Sequence, residues 1–198
     1  ALFRKEKYHH VRLNVGGTEA LSEKIISPED AQKLKAECDG KSVKCLSVTR
    51  EQKKEQPPKL YDLTTLQREA NRIFGYTAKQ TLDYAQSLYE KKLLTYPRTD
   101  SRYLTSDMAE TAVCILHLAA KLPPFDGCRD FFPEVSGMIS DKDVTDHHAI
   151  IPTMEIEKAD IDGLPVGERN LLLLVCCKLL CASAEPYVYE TVAATFEC

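Results

Sequence analysis

The chain has 198 residues, of which 43% are hydrophobic, 8% aromatic and 28% charged, and this composition is ordinary for a folded globular protein. Its formal net charge of −4 argues against a uniformly basic nucleic-acid-binding protein. No apolar run approaches the roughly 18 residues of a membrane-spanning helix, and no charged-then-apolar leader opens the chain, so we expect a soluble protein with no membrane partner.

Charge is unevenly distributed along the chain. Residues 50–102 carry eleven Lys or Arg against seven Asp or Glu, whereas residues 141–163 carry two against seven. The local balances are therefore +4 and −5. One basic region in an acidic protein fits contact with nucleic acid over a limited groove, and it also fits a mixed solvated surface.

The eight cysteines do not form the C-x-x-C pairs of a zinc site. They stand at positions 38, 45, 114, 128, 176, 177, 181 and 198. We expect all eight to be free thiols in a reducing cytoplasm.

The first 55 residues predict two strands and one helix. Apolar and polar residues alternate over residues 7–15, which indicates a half-buried strand. Ser27, followed by a proline and two acidic residues, is typical of a helix start, and the helix should run to about Cys38. A second strand is expected over residues 42–55.

A proline-rich linker at residues 56–58 marks a change of architecture, because helical periodicity follows it. The first helix should run from about Thr64 to Gly75. Thr77 should cap a second helix that extends to about Leu93 and leads directly into the loop at residues 95–101.

Beyond that loop the sequence predicts two more helices and a final strand. Ser106 should cap a helix that two prolines stop at residues 123–124. Residues 121–146 look irregular, residues 167–183 predict a buried helix, and residues 187–197 predict a strand. The final strand is cut in mid-pattern, so we expect the chain to be part of a longer protein.

The most informative stretch is T-Y-P-R-T-D-S at residues 95–101. Pro97 fixes its own φ and favours an extended conformation at Tyr96, so this stretch should be a loop that presents the tyrosine. It places a phenol, a guanidinium, a carboxylate and three hydroxyls together, which suits a phosphate. The alternative is a turn whose tyrosine packs on a neighbouring helix while Arg98 is solvated.

Three further motifs carry polar groups. H-H-A-I-I-P-T at residues 147–153 contains an adjacent histidine pair, which does not share one helix face and does not predict a metal site. P-P-K-L-Y-D-L-T-T-L-Q at residues 57–67 gathers hydroxyls and an amide at a helix start, where they could bind phosphate or simply cap the helix. D-K-D at residues 141–143 follows no apolar strand and is interpreted as a solvated loop, not as a Mg²⁺ site.

Taken in order, these motifs resemble one family. Three segments are similar to segments of type IA DNA topoisomerases: P-P-K-L-Y-D-L-T-T-L-Q-R-E-A-N, then L-Y-E-K-K-L-L-T-Y-P-R-T-D-S, then H-H-A-I-I-P-T. The sequence T-Y-P-R resembles the bacterial topoisomerase III-like branch. The resemblance is strong over residues 56–104 and 145–153 and weaker over residues 167–198. It implies an α+β fold in which a mainly helical, tyrosine-bearing domain is inserted into a β-rich arch.

The resemblance also implies domain boundaries. Residues 1–55 would form arch strands and a short helix, and residues 56–155 the helical domain with the tyrosine. Residues 156–198 would supply an arch-base helix and a returning strand.

The resemblance implies that Tyr96 attacks a phosphodiester of single-stranded DNA and forms a 5′-phosphotyrosyl bond. A phenol with a pKa of about 10 is a poor nucleophile at neutral pH, so cations must assist it. Arg98 and His147 are the implied catalytic partners, with His147 preferred to His148. Weaker implied DNA-binding residues are the following: Thr65, Gln67, Asp100, Ser101 and Thr153.

The family's acidic Mg²⁺ cluster and its catalytic lysine belong to an amino-terminal domain that nothing here matches. We therefore expect Mg²⁺ only in the full-length enzyme, no metal in this chain, and single-stranded DNA and the missing domain as partners. The isolated chain should bind single-stranded DNA without turning it over.

Three alternatives stand beside this interpretation. A tyrosine recombinase would present its tyrosine on a helix, whereas Pro97 demands a loop. A relaxase would need a His-x-His pair, whereas His147 and His148 are adjacent. A non-catalytic nucleic-acid-binding adaptor is permitted by the charge distribution alone.

Overall fold

The fold is described from a computed structural model, which describes residues 5–128 and 132–197. The chain divides into two compact units. The first comprises residues up to Lys54 together with those from Val188 onward, and the second comprises Glu55–Tyr187. Helices and strands are both present, which confirms the α+β prediction.

The first unit opens with a two-stranded antiparallel hairpin. Strand β1 (Arg12–Val15) pairs with β2 (Thr18–Leu21). The turn between them uses positive φ angles of 57° at Gly16 and 89° at Gly17, a conformation that glycine adopts without strain. The sequence predicted β1, but the glycine pair turns the chain into a second strand that was not predicted.

The rest of this unit follows the sequence prediction. Helix α1 (Pro28–Cys38) begins after Ser27, whose side chain accepts a hydrogen bond from the Asp30 N–H at 3.3 Å. Strand β3 (Lys44–Glu55) pairs with β4 (Tyr187–Glu197) in a second sheet. All twelve residues of β3 are exposed.

The prediction of eight free thiols is wrong at Cys38, which is disulfide-bonded. Among the cysteines whose side chains the structure describes, five are free, namely Cys45, Cys114, Cys176, Cys177 and Cys181. Burial raises the pKa of the Cys176 thiol to about 12, so this thiol stays protonated at neutral pH.

The second unit is built on four helices, each beginning and ending within a few residues of its predicted bounds. They are α2 (Leu63–Phe74), α3 (Ala78–Glu90), α4 (Ala109–Ala119) and α5 (Val166–Ala182). Asp62 caps α2, Gly75 ends it with a φ of 72°, and Thr77 with Gln80 forms a capping box on α3.

Short 3₁₀ turns lie between the helices of this unit, both inside and outside the segment predicted to be irregular, residues 121–146. One such turn, Ser106–Met108, precedes α4, so Ser106 lies in the turn and Thr105 is the residue before it. Others span Pro123–Cys128, Ser136–Met138, Asp141–Asp143 and Met154–Glu157. Part of the segment predicted to be irregular, residues 129–131, lies outside the described residues.

Helix α5 lies at the centre of the packing. It contacts α2, α3 and α4, and its side chains Leu171, Leu172 and Leu179 are fully buried. Its buried carboxylate, Glu168, is paired with Lys91 and accepts a hydrogen bond from Ser87 Oγ at 2.9 Å. In the described parts of the chain, no helix is long and apolar enough to cross a membrane.

Candidate active site

The loop that carries Tyr96 is fixed by the end of α3 and by an antiparallel neighbour. Lys92 takes a positive φ of 62° and turns the chain out of the helix. Leu94 then bridges to Pro152. The Thr95 N–H donates to the Ile151 carbonyl and the Ile151 N–H donates to Thr95 Oγ1, both at 3.0 Å. The T-Y-P-R motif is therefore aligned with the second half of the histidine motif.

Thr99 joins all three sequence motifs. Its hydroxyl donates to the His147 carbonyl at 2.8 Å, and its own carbonyl accepts from the Leu63 N–H at 3.1 Å. Thr99 is 8% exposed, so these hydrogen bonds are shielded from water. The start of α2, the tyrosine loop and the histidine motif consequently meet at one place.

Tyr96 lies between two aromatic rings. Its ring centroid is 4.5 Å from that of His147 at an interplanar angle of 49°, and 5.4 Å from that of Tyr89 in an edge-to-face arrangement. The phenol is half-buried, while Arg98 is exposed. The Tyr96 ring therefore packs on α3 through Tyr89 and also contacts His147.

An open cleft of about 470 Å³ lies beside this group, and we call it the Arg98 cleft. It is lined by Asp62, Leu63, Thr64, Arg98, Thr99, Asp100, Thr145, Asp146 and His147. His147 both lines the cleft and contacts the Tyr96 ring.

The charge of the Arg98 cleft does not suit a phosphate by itself. Arg98 supplies one positive charge, and Asp62, Asp100 and Asp146 supply three negative ones, so the formal sum is −2 with His147 neutral. The Asp62 carboxylate is already used, since it accepts from the Thr65 N–H at 2.6 Å. A phosphate here would need further positive charge from outside these nine residues.

The described residues do not fit a resident metal. Among residues 5–128 and 132–197, no three or more His, Cys, Asp or Glu side chains come together as a group that could hold a metal ion. The three aspartates of the Arg98 cleft do not converge into such a group.

The remaining predicted DNA-binding residues take different positions. Asp100 is exposed and lines the Arg98 cleft. The Ser101 hydroxyl, 4% exposed, donates to the Asp143 carbonyl at 2.9 Å, and Thr153 Oγ1 donates to the Lys92 carbonyl. These two hydroxyls hold loop backbone in place.

Helix α2 turns the other two predicted residues away from the Arg98 cleft. Thr65 hydrogen-bonds the Asp62 carboxylate at 2.8 Å and lines a separate cleft. Gln67 donates to the Ala78 carbonyl at 3.0 Å and so connects α2 to the start of α3.

His148 differs from His147 in its surroundings. Its Nδ1 is 2.8 Å from the Ala149 carbonyl, and it does not line the Arg98 cleft. This geometry favours His147 over His148 as the residue beside Tyr96.

Sequence reasoning missed Thr64 and Asp146 as cleft residues and Tyr89 as the ring that supports Tyr96. All three lie inside or directly beside the motifs already singled out. A signal for Tyr89 was available, because it lies on the apolar stripe of α3 that leads into the loop.

Comparison with known proteins agrees with this fold. The family model described as DNA topoisomerase matches residues 1–198. A DNA topoisomerase 3 of Shouchella clausii is 43% identical over 144 residues, which cover 69% of this chain and 20% of the relative. A DNA topoisomerase 3 of Staphylococcus saprophyticus is 34% identical over 199 residues, which cover 96% of this chain and 28% of the relative.

A solved structure, the full-length topoisomerase I of Thermotoga maritima, has a similar fold. The TM-score is 0.69 at 24% identity, over 96% of this chain and 31% of that one. The architecture is thus that of a type IA topoisomerase. The chain belongs to the DNA topoisomerase family, in its type IA, topoisomerase III-like branch. It spans less than a third of the length of each of these proteins.

Proposed function

We propose that this chain supplies the nucleophilic half of a DNA topoisomerase active site, with Tyr96 as the nucleophile. The observation that carries the proposal is the convergence of three motifs, in which Thr99 bridges the α2 start to the His147 backbone and the His147 ring lies 4.5 Å from the Tyr96 ring. Membership of the topoisomerase family supports the substrate class, DNA.

In the proposed reaction, Tyr96 Oη forms a bond to a phosphorus of single-stranded DNA while the bond from that phosphorus to the 3′-oxygen breaks. The phenol loses its proton to solvent, and the departing 3′-oxygen gains one. The products are a 5′-phosphotyrosyl bond and a 3′-hydroxyl. The reverse reaction reseals the strand and changes only DNA topology, so it needs no ATP.

Arg98 and His147 stabilise charge in this scheme. The exposed Arg98 guanidinium can hold two phosphate oxygens with parallel hydrogen bonds. The His147 ring, beside Tyr96 and on the cleft wall, can donate a hydrogen bond to the scissile or the adjacent phosphate. Asp100 lines the same cleft, while Ser101 and Thr153 position the loop backbone.

Because the formal charge of the Arg98 cleft is negative, we propose that the remaining cations come from another part of the protein. We propose an amino-terminal domain that carries Mg²⁺ and a lysine, so the chain by itself binds single-stranded DNA without cleaving it. We further propose that the full-length protein acts in the bacterial cytoplasm.

Covalent trapping tests the proposed function. The chain is combined with the amino-terminal part of the same protein, incubated with labelled single-stranded DNA and Mg²⁺, and denatured. We expect a protein–DNA adduct with the native chain and none with Tyr96→Phe, which keeps the ring packing and removes only the hydroxyl. Tyr89→Phe is the matched control and should still form the adduct.

Equal adduct formation by native protein and Tyr96→Phe would assign the nucleophile elsewhere. Tight DNA binding without an adduct in either protein would favour the non-catalytic adaptor.

A further inference from the structure

A second cleft, of about 450 Å³, lies on the other side of the α2 start, and we call it the α2 basic cleft. Four basic side chains line it, together with Tyr61, Thr65 and Glu69. The basic residues are Arg68, Arg72, Arg102 and Lys178. None of these four lines the Arg98 cleft.

Helix geometry and tertiary packing bring the cations together. Positions 65, 68, 69 and 72 follow the i, i+3, i+4, i+7 spacing and share one face of α2. Arg102 is held in place by a hydrogen bond from its Nε to the Leu60 carbonyl at 3.0 Å. Lys178 comes from α5, and its ammonium lies 4.7 Å from the centre of the Tyr61 ring.

The charge of the α2 basic cleft is opposite to that of the Arg98 cleft. Four cations against the single carboxylate of Glu69 give a formal sum of +3. Glu69 is engaged by Lys178 at 2.9 Å and by Arg72 at 3.4 Å. Burial is the largest single influence and opposes its ionisation, but the hydrogen bonds from Lys178 and Tyr61 and the charges of Lys178 and Arg72 together lower the pKa of Glu69, so the Glu69–Lys178 pair is charged at neutral pH.

The Arg68 guanidinium and the two Nη nitrogens of Arg102 are available to bind a ligand. Within the described residues, Arg68 makes no hydrogen bond or ion pair, and Arg102 uses only its Nε. The Tyr61 hydroxyl, on a residue 1% exposed, faces the Glu69 carboxylate. Burial, and then the nearby Glu69 carboxylate, raise the pKa of Tyr61, so its hydroxyl remains a donor at neutral pH.

The same two segments of the chain contribute lining residues to both clefts. Asp62 and Thr64 line one cleft and Thr65 lines the other, so both share the first turn of α2. The segment from Arg98 to Arg102 contributes an arginine to each. A polyanion that reaches Tyr96 therefore has a cation-lined continuation beside it.

We infer that the α2 basic cleft binds a backbone phosphate of the same single DNA strand whose phosphodiester lies at Tyr96. This inference rests on the proposed function and extends it by naming where the strand is held. Arg68 and Arg102 contact the phosphate. Arg72 and Lys178 share the Glu69 carboxylate, so this group of three side chains keeps one net positive charge that favours an anion in the cleft.

The test measures binding of a fluorescent 12-nucleotide oligo(dT) by the 198-residue chain as salt is varied. Arg68→Ala should weaken binding about tenfold, the effect of losing one charge-assisted hydrogen bond. It should also make the slope of log K against log salt shallower by about 0.7, as expected when one phosphate contact to a single strand is lost. Arg68→Lys should keep the slope. Lys121→Ala, an exposed lysine that lines neither cleft, is the matched control and should change neither quantity.

Two further arms separate the possible failures. If Arg98→Ala weakens oligonucleotide binding while Arg68→Ala behaves like Lys121→Ala, the α2 basic cleft inference falls and the proposed function stands. If the native chain does not bind the oligonucleotide at all, the α2 basic cleft inference falls together with the proposed DNA binding by the isolated chain, while covalent trapping still decides whether Tyr96 is the nucleophile. If Arg68→Ala weakens binding of inorganic phosphate but not of the oligonucleotide, the cleft is a site for free anions, and its assignment to the strand is overturned.

Discussion

Arg98 is the single cation among the nine residues that line its cleft, where it faces three carboxylates. An exposed guanidinium in that position is not needed for folding, because neither an ion pair nor a hydrogen bond to the rest of the described chain uses it. Its planar fork can instead match two oxygens of a phosphate. We therefore propose that Arg98 acts in the DNA-bound state.

Two substitutions of Arg98 distinguish the contribution of its positive charge to cleavage from that of its planar guanidinium. In the reconstituted protein, Arg98→Ala should lower the single-turnover cleavage rate by about 10²- to 10³-fold, the usual effect of removing one transition-state donor. Arg98→Lys keeps the charge but not the fork, and should recover only part of the loss.

Thermal unfolding of the same Arg98 variants should match that of the native chain, and Lys121→Ala should cleave normally. A cleavage rate unchanged in Arg98→Ala would remove the arginine from the mechanism.

How far the candidate site could be predicted depends on the kind of residue. Tyr96, Arg98 and His147 could be selected as candidates from the sequence because each lies in a dense polar motif. The proximity of the His147 motif to the Tyr96 loop is visible only in the fold, where Thr99 bridges the two segments. Thr65 and Gln67 could not be placed, since successive helix residues are rotated by about 100° and the sequence does not state which face of α2 meets the cleft.

At the scale of elements, the packing of α3 against α5 depends on one small residue. A Cβ added at Gly167 would lie 2.4 Å from Cζ of Tyr84, closer than side-chain atoms approach. Gly167 has no positive φ, so the need for glycine is steric and not conformational. Tyr84 must move if any larger residue stands there.

Gly167→Ala should lower the free energy of unfolding by about 1–3 kcal/mol through overpacking against Tyr84. The measurement is urea denaturation, compared with the same substitution in a Tyr84→Ala background. There the ring is absent, and Gly167→Ala should become neutral or slightly stabilising because alanine favours helix. Equal destabilisation in both backgrounds would show that the Tyr84 contact is not the cause.

Elements with clear caps were predicted well, and elements without them were not. Ser27, Asp62 and Thr77 begin α1, α2 and α3, and each side chain accepts a hydrogen bond from a backbone N–H of the first turn. Strand β2 was missed because four residues after a glycine pair carry too little alternation to be recognised. The 3₁₀ turn ahead of α4 was missed because its residues are also typical of an α-helix start.

At the scale of the whole molecule, charge is divided between two neighbouring clefts. The Arg98 cleft sums to −2 and the α2 basic cleft to +3. We propose that the second cleft holds the DNA strand, while the first lacks the cations that a reacting phosphate needs. On this proposal the described residues contribute to binding, and the chemistry needs further cations.

The isolated chain should therefore bind labelled single-stranded DNA and leave it intact, with or without Mg²⁺. The formal charge of −2 in the Arg98 cleft argues for this result, because a reacting phosphate there would lack stabilising cations. Gel analysis after denaturation should show uncut DNA for the chain alone and a Tyr96-dependent cut when the amino-terminal part is added. If the 198 residues alone nick DNA when Mg²⁺ is present and Tyr96→Phe abolishes this nicking, the proposed separation of DNA binding from chemistry is contradicted. The carboxylates of the Arg98 cleft would then bind the metal themselves.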